Sequence, residues 1–234
     1  MLAIAKRDLK SYFSSPIGYV CVALILAFFG YFYFQVLMSG STSYISSVYG
    51  VMFTWCMMVI PIITMRSMSE DRKNKTDQAL LTAPVSVTAI VMGKFLASFA
   101  VYAIIMIGSL IPCIIMTFIA DPNWGIIFGN FLASLLYGAA MIAIGVFISS
   151  LTVSQIIAAI GTFAVAIFLM IIDSLGGATG SAFLSKVVTW ISFNTRYSLF
   201  TQGLFSISNA VFFLSVAAIF IFLTARKLES RRWS

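Results

Sequence analysis

Few residues of this 234-residue chain could carry covalent chemistry. It contains no histidine, which removes imidazole proton transfer and imidazole metal ligation. The cysteines Cys21, Cys56 and Cys113 each stand alone in an apolar run, the setting of small hydrophobic side chains rather than of zinc ligands or a disulfide framework. No carboxylate pair falls inside an apolar stretch. No G-x-x-x-x-G-K-[ST] segment offers backbone N–H groups to a phosphate, since Gly93-Lys94 lacks the earlier glycine and is followed by Phe95. No catalytic residue, metal ligand or cofactor site is expected in this chain.

Polar chemistry is concentrated instead in residues 66–94, a charged segment between two apolar runs. Ser69 can cap a helix there, with Glu70 and Asp71 in its first turn, where the helix dipole favours acids. Asp71 and Lys75 are spaced i,i+4 in the favourable order. Pro84 disfavours helix at Ala83 and ends the element. The spacing therefore predicts a short polar helix over about 69–82, ending on the apolar Ala79-Leu80-Leu81, which needs a surface to bury against.

The elements that position this segment follow from composition. Apolar residues make up 61% of the chain and charged residues 9%, with a mean hydropathy of +1.06. A soluble chain has roughly half apolar and a quarter charged residues, so the expected class is an all-α integral membrane protein. Six stretches suit spanning helices: 17–38, 44–65, 95–119, 126–148, 153–172 and 207–225, with Ser149-Ser150 a short polar break between the fourth and fifth. The first is too long for a secretory signal core and no small-residue cleavage site follows it. The net charge of +7 is placed by side rather than spread for nucleic acid. Lys6, Arg7 and Lys10 precede the first span; Arg66, Arg72, Lys73, Lys75 and Lys94 lie between the second and third; Arg226, Lys227, Arg231 and Arg232 follow the sixth. Only Lys186 and Arg196 fall opposite, so both termini are expected to be cytoplasmic.

Two further segments are not spans. Residues 1–15 place Leu2, Ala5, Leu9, Tyr12 and Phe13 on one helical face, as in a helix lying in the inner interface. Its Lys6, Arg7, Lys10 and Tyr12, with Arg226, Arg231 and Arg232 at the other terminus, are the expected interface anchors. Residues 174–206 carry Trp190, Phe193, Tyr197 and Phe200 at spacings of three and four, which predicts short helices dipping into the outer interface. Asp173 could pair there with Lys186 or Arg196. A pathway is expected along Tyr31, Tyr33, Thr54, Met57 and Met58, although the same residues would suit a core. Gly125 and Gly129 form G-x-x-x-G, read as close packing within one subunit ahead of a seam between copies. Pro61 and Pro112 should kink their helices.

The charged segment closely resembles the coupling-helix region of type-2 ABC transporter permeases. The resemblance is carried by Glu70-Asp71, Arg72-Lys73, Thr76, Leu80-Leu81-Thr82 and Pro84-Val85-Ser86, and then by Gly93-Lys94 opening the third span. It is nearest the gliding-motility-type and nitrous-oxide-operon-type branch. The stretch from Lys6 to Ile17 is similar to the family's amphipathic first helix, and Leu223 to Trp233 to its C-terminal tail. Two departures stand out. The family commonly has Gly where this chain has Lys75, and an aliphatic residue then Glu where it has Asp77-Gln78.

The resemblance implies the permease subunit of an exporter-type ABC transporter in a cytoplasmic (bacterial inner) membrane. ATP and Mg would be bound by a separate soluble ATPase, present in two copies. Six spans are half of the usual twelve, so a second permease, identical or related, is expected. Contact with the ATPase would run through Ser69, Glu70, Asp71, Arg72, Lys73, Lys75, Thr76, Asp77, Gln78, Leu80, Leu81 and Pro84. The branch also keeps open an ATP-driven mechanical assembly acting on a membrane partner with an extracytoplasmic domain. A stand-alone secondary transporter would instead show an inverted repeat, and none is visible.

Overall fold

Long apolar runs must satisfy their backbone groups internally, and helices do so. The computed structural model describes residues 1–39, 45–82, 84–118, 122–178, 188, 190–202 and 206–232, and no strand occurs among them. The helices are α1 (Leu2–Ser14), α2 (Pro16–Ser39), α3 (Ile45–Lys73), α4 (Thr76–Thr82), α5 (Val87–Gly108), α6 (Leu110–Met116), α7 (Trp124–Leu151), α8 (Gln155–Ala178), α9 (Phe193–Thr201) and α10 (Ile207–Arg232).

Among the described residues, five stretches are long and apolar enough to cross a membrane: Gly18–Ser39, Val87–Met116, Trp124–Leu151, Gln155–Ile172 and Ile207–Arg232. The remaining expected span lies in α3. Its 29 residues run from a serine-containing start into a charged end, Arg66 to Lys73, which dilutes the apolar stretch.

Three of the boundaries that differ from the sequence reading have a clear local reason. Helix α5 starts at Val87 rather than near residue 95, because Ser86 caps it by accepting from Ala89 N. Lys94 therefore sits inside the helix. The same stretch breaks at Ser109 between α5 and α6. Pro112 has no N–H for the carbonyl four residues back, that of Gly108, and the interruption falls there. Helix α3, in contrast, runs through Pro61 uninterrupted. Helix α10 continues past Ala225 to Arg232, so the basic tail is helical.

Helix α7 is the most buried of the five and packs against α3, α5, α8, α9 and α10. Two glycines let it approach its neighbours. A Cβ on Gly138 would lie 2.1 Å from the Tyr102 ring of α5, and one on Gly145 would lie 2.3 Å from Thr64 Oγ1 of α3. Gly125 and Gly129, the expected packing motif, meet no neighbouring helix among the described residues: none of these lies within 4 Å of a Cβ on Gly129, and only Asn123 of the same turn near Gly125. Helix α9 closes the opposite end of the core from α1. Its Phe193, Tyr197 and Phe200 are buried, and the Tyr197 hydroxyl pairs with Ser134 Oγ at 2.8 Å.

Candidate functional site

The charged residues converge at one end of the bundle, where α1, the end of α3, α4, the start of α5 and the ends of α7 and α10 meet. At its centre is Lys94, only 3% exposed. Its ammonium reaches Asp71 Oδ2 at 2.5 Å, Asp8 Oδ2 at 3.1 Å and the Ser67 carbonyl at 2.6 Å. Three partners match its three donors. Arg7 bridges the same two acids, at 2.7 Å from Asp8 and 3.6 Å from Asp71. A buried cation of this kind persists only when paired and hydrogen-bonded. Here the pairing joins three helices.

Arg66, one turn before Glu70, grips it with two hydrogen bonds of 2.7 and 2.9 Å and donates a third to Ser15 Oγ. The bonds to Glu70 hold the Arg66 guanidinium above the usual arginine range. Tyr12 completes the attachment of α1. Its hydroxyl donates to the Ile63 carbonyl at 2.6 Å, and burial pushes the phenol up from its ordinary value. An open cavity of about 290 Å³ lies among Arg7, Asp8, Arg66, Glu70, Asn74 and Lys94.

The expected helix over 69–82 is in fact two elements. Ser69 is not a cap. It lies fully buried inside α3, its hydroxyl bonded to Met65 O and its N–H to Ser149 Oγ. Helix α3 was already under way, so the acids after Ser69 occupy its last turns rather than a first turn. It ends at Lys73, and the chain turns through Lys75, whose φ of 57° is left-handed. A residue in this conformation just beyond a helix end is a common stop, and glycine adopts it without strain. The resemblance expects glycine at this place, which suits the same backbone. Asp71 does not pair with Lys75. It binds Lys94 and accepts from Thr76 Oγ1 at 2.9 Å, tying the start of α4 to the cluster.

Helix α4 rests its apolar side on the bundle. Leu80 faces a small apolar recess with Met68, Ile90 and Leu228. Asp77 is half-buried, whereas Lys73, Asn74, Lys75, Thr76, Gln78, Thr82 and Pro84 are exposed. The side chain of Leu81 lies outside the described residues. The twelve expected contact residues thus divide. Ser69, Glu70, Asp71 and Arg72 are spent on internal bonds, and the turn and outer face of α4 remain open.

The last turn of α7 is the second centre. Ser149 Oγ accepts from Met68 N and Ser69 N, both at 3.1 Å, and donates to Met65 O at 3.1 Å. The Ser150 carbonyl accepts from Arg231 Nη2 at 2.9 Å and Arg72 Nη1 at 3.3 Å. Carbonyls at a helix C-terminus lack helical partners and carry partial negative charge, which suits two guanidinium groups. Arg231 is therefore an internal clamp, while Arg226 and Arg232 are exposed, Arg226 paired with Glu229 at 3.0 Å. Of the anchors expected in α1, Lys6, Arg7 and Lys10 are exposed and Tyr12 is buried.

The remaining candidates lie elsewhere. Arg196 donates to the Trp190 carbonyl and to Asn209 Oδ1 at 3.1 Å and stacks 4.2 Å over the Phe212 ring. Lys186 and the side chain of Asp173 lie outside the described residues. The five pathway candidates differ in exposure. Tyr33 and Met57 are core, Thr54 is half-buried, and Tyr31 and Met58 face outward.

Sequence reading missed Lys94, Asp8, Ser149 and Ser150. Lys94 reads as a flank of the third span, and Ser149-Ser150 as a polar break. The available signals were the Ser86 cap, which draws Lys94 into the helix, and a single acid set among three bases in α1.

A family model described as ABC-2 family transporter protein matches residues 14–226. The chain belongs to this family and is a multi-pass permease component of an ABC transporter. Such subunits generally lack an ATP site of their own and work with an ABC ATPase and a partner permease. Comparison with curated proteins returns no match.

Proposed function

We propose that this chain is the membrane subunit of an exporter, driven through the α3–α4 region by a separate soluble ATPase that binds ATP and Mg. Two ATPases and a second permease, a copy or a relative, complete the unit. In this reading α3 is a sixth span, since residues 45–65 carry no charge. The charged end faces the cytoplasm with both termini, because basic segments stay inside.

The observation that carries the reading is the asymmetry of the α3–α4 turn. Its inner charges are bound to α1, α5 and α7, while Lys73, Asn74, Lys75 and Gln78 stand open beside them. A surface braced from behind by polar bonds and open in front suits a partner that pushes on it.

The test must spare the inner charges, because reversing Glu70, Asp71 and Arg72 would break the fold's own pairs. Lys73→Glu with Lys75→Asp changes only exposed groups, and Asp tolerates the left-handed backbone. Purification in mild detergent is expected to recover the ATPase one-to-one with the native permease, and at least tenfold less with the variant at unchanged thermal stability. Equal recovery would remove this face as the contact. Full transport by the permease alone in liposomes would remove the ATP-driven reading.

A further inference from the structure

We propose that the last turn of α7 is the fulcrum on which the charged arm of α3 turns, with Ser149 as the hinge. The proposal rests on the reading above and adds to it a positioning residue remote from the exposed turn.

Helix α3 joins an apolar length to a charged arm in one 29-residue helix. Below the arm it is held fast, because Thr64 packs where Gly145 lacks a side chain, at 2.3 Å from the position a Cβ would take. Immediately above that contact lies Ser149 Oγ, 3.1 Å from Met65 O and 3.1 Å from Ser69 N. These two groups are the two halves of one i→i−4 rung of α3. A hydroxyl placed across such a rung is a recognised cause of helix bending. It also lets the rung open without orphaning either group, because it both donates to the carbonyl and accepts from the amide.

The bonding of Ser149 is fully committed to this task. A hydroxyl has one donor and two acceptor positions. Met65 O takes the first, and Met68 N and Ser69 N take the others. The buried hydroxyls of Thr64, Ser150, Thr162 and Thr224 instead bond back to a carbonyl of their own helix, and those of Tyr12 and Tyr102 each reach one carbonyl of another helix. Ser149 reaches across to the backbone of another helix.

One residue further on, the Ser150 carbonyl supplies the stop. Arg72, on the moving arm, and Arg231, at the end of α10, share this single acceptor. When the arm swings away, Arg72 leaves and Arg231 keeps the carbonyl satisfied. The resting and displaced positions are thus both free of an unpaired carbonyl at α7.

Two measurements test this. The first uses the permease alone: amide hydrogen exchange at Met68 and Ser69 is expected to be at least tenfold faster than at Ile63 and Thr64. In Ser149→Ala the bridge is lost, the rung is left with its ordinary helical partners alone and both amides slow, while Ser149→Cys, a weaker donor of similar size, lies between. Equal exchange at the two pairs, or no slowing in Ser149→Ala, overturns the hinge.

The second uses the reconstituted permease–ATPase complex, with spin labels at the exposed Thr82 and Val153, the labelled permease first shown to recover ATPase as the native one does. The label distance is expected to shift between nucleotide-free and ATP-trapped states. In Ser149→Ala the shift should fall below half, with ATPase recovery and thermal stability unchanged. A full shift in Ser149→Ala, or none in the native complex that binds ATPase, overturns the fulcrum. Failure of the native permease to recover any ATPase would instead overturn the functional reading and leave the exchange experiment to decide the hinge.

Discussion

Lys94 of α5 and Asp71 of α3 form an ion pair of 2.5 Å at the root of the charged arm. Asp71 also receives the hydroxyl of Thr76, the first residue of α4. A displacement of α4 is therefore passed, through two polar contacts, to α5 and, through Asp8, to α1.

This pairing predicts a large and graded mutational effect. Lys94→Met leaves Asp71 and Asp8 partly buried with only Arg7 for compensation. Removing one partner of a buried pair costs about 3–5 kcal/mol, and the residual exposure of the acids favours the lower end. For a chain of this size a loss of about 3 kcal/mol corresponds to roughly 6–12 °C in Tm. Adding Asp71→Asn to Lys94→Met removes one of the stranded charges and is expected to recover part of the loss. Thermal unfolding in detergent, followed by helical circular dichroism, measures both.

The turn at Lys75 predicts a gain. Its φ of 57° places a Cβ where an L-residue is strained. Lys75→Gly should stabilise the turn by about 1 kcal/mol, Lys75→Asn by less, and Lys75→Ala not at all. The ordering, read from the same unfolding curves, separates backbone relief from loss of the lysine charge, which all three variants share.

Much of this end of the molecule was legible in the sequence, and the part that was not has a common cause. The one-sided placement of Lys6, Arg66, Arg72 and Arg231 correctly grouped the segments that meet there, because charge must collect outside the apolar slab. Ser69 misled because a serine followed by two acids is the pattern of a helix start, and only the contact with Ser149 reveals that the helix is already running. Ser149-Ser150 misled in the opposite sense. Polarity in an apolar run suggests a break, yet both residues are buried within α7, with partners on α3 and α10. Local patterns report which groups need partners. They do not report that a partner arrives from a helix eighty residues away.

The attachment of α1 predicts a pH dependence. Burial raises the pKa of Tyr12, so the folded protein keeps this proton where the unfolded chain releases it. Above about pH 10 the native state then binds more protons than the unfolded one, and stability falls as pH rises; below that value the contribution is complete. Tyr12→Phe loses the hydrogen bond to Ile63 O, at about 1 kcal/mol, but also loses this alkaline liability. The stability gap between the native protein and Tyr12→Phe should be constant from pH 7 to 9 and narrow by pH 11. A gap that stays constant to pH 11, or widens, would mean the phenol is not held neutral.

The contact between α3 and α7 predicts a compensated pair. Gly145→Ala forces a methyl group to within 2.3 Å of Thr64 Oγ1 and 2.9 Å of Thr64 Cγ2, so the two helices must separate or Thr64 must move. Overpacking of this kind costs about 1–3 kcal/mol. Thr64→Ala alone removes a hydroxyl that bonds only within its own helix, to Ile60 O and Pro61 O, and should cost less. In the double variant Oγ1 and Cγ2 are gone, but the Thr64 Cβ, 2.7 Å from the new methyl group, remains. The double variant should therefore recover much, but not all, of the Gly145→Ala loss, giving a favourable coupling in a double-mutant cycle. Strict additivity of the two losses would show that α3 and α7 do not meet at this point, and would remove the fixed contact below the Ser149 hinge.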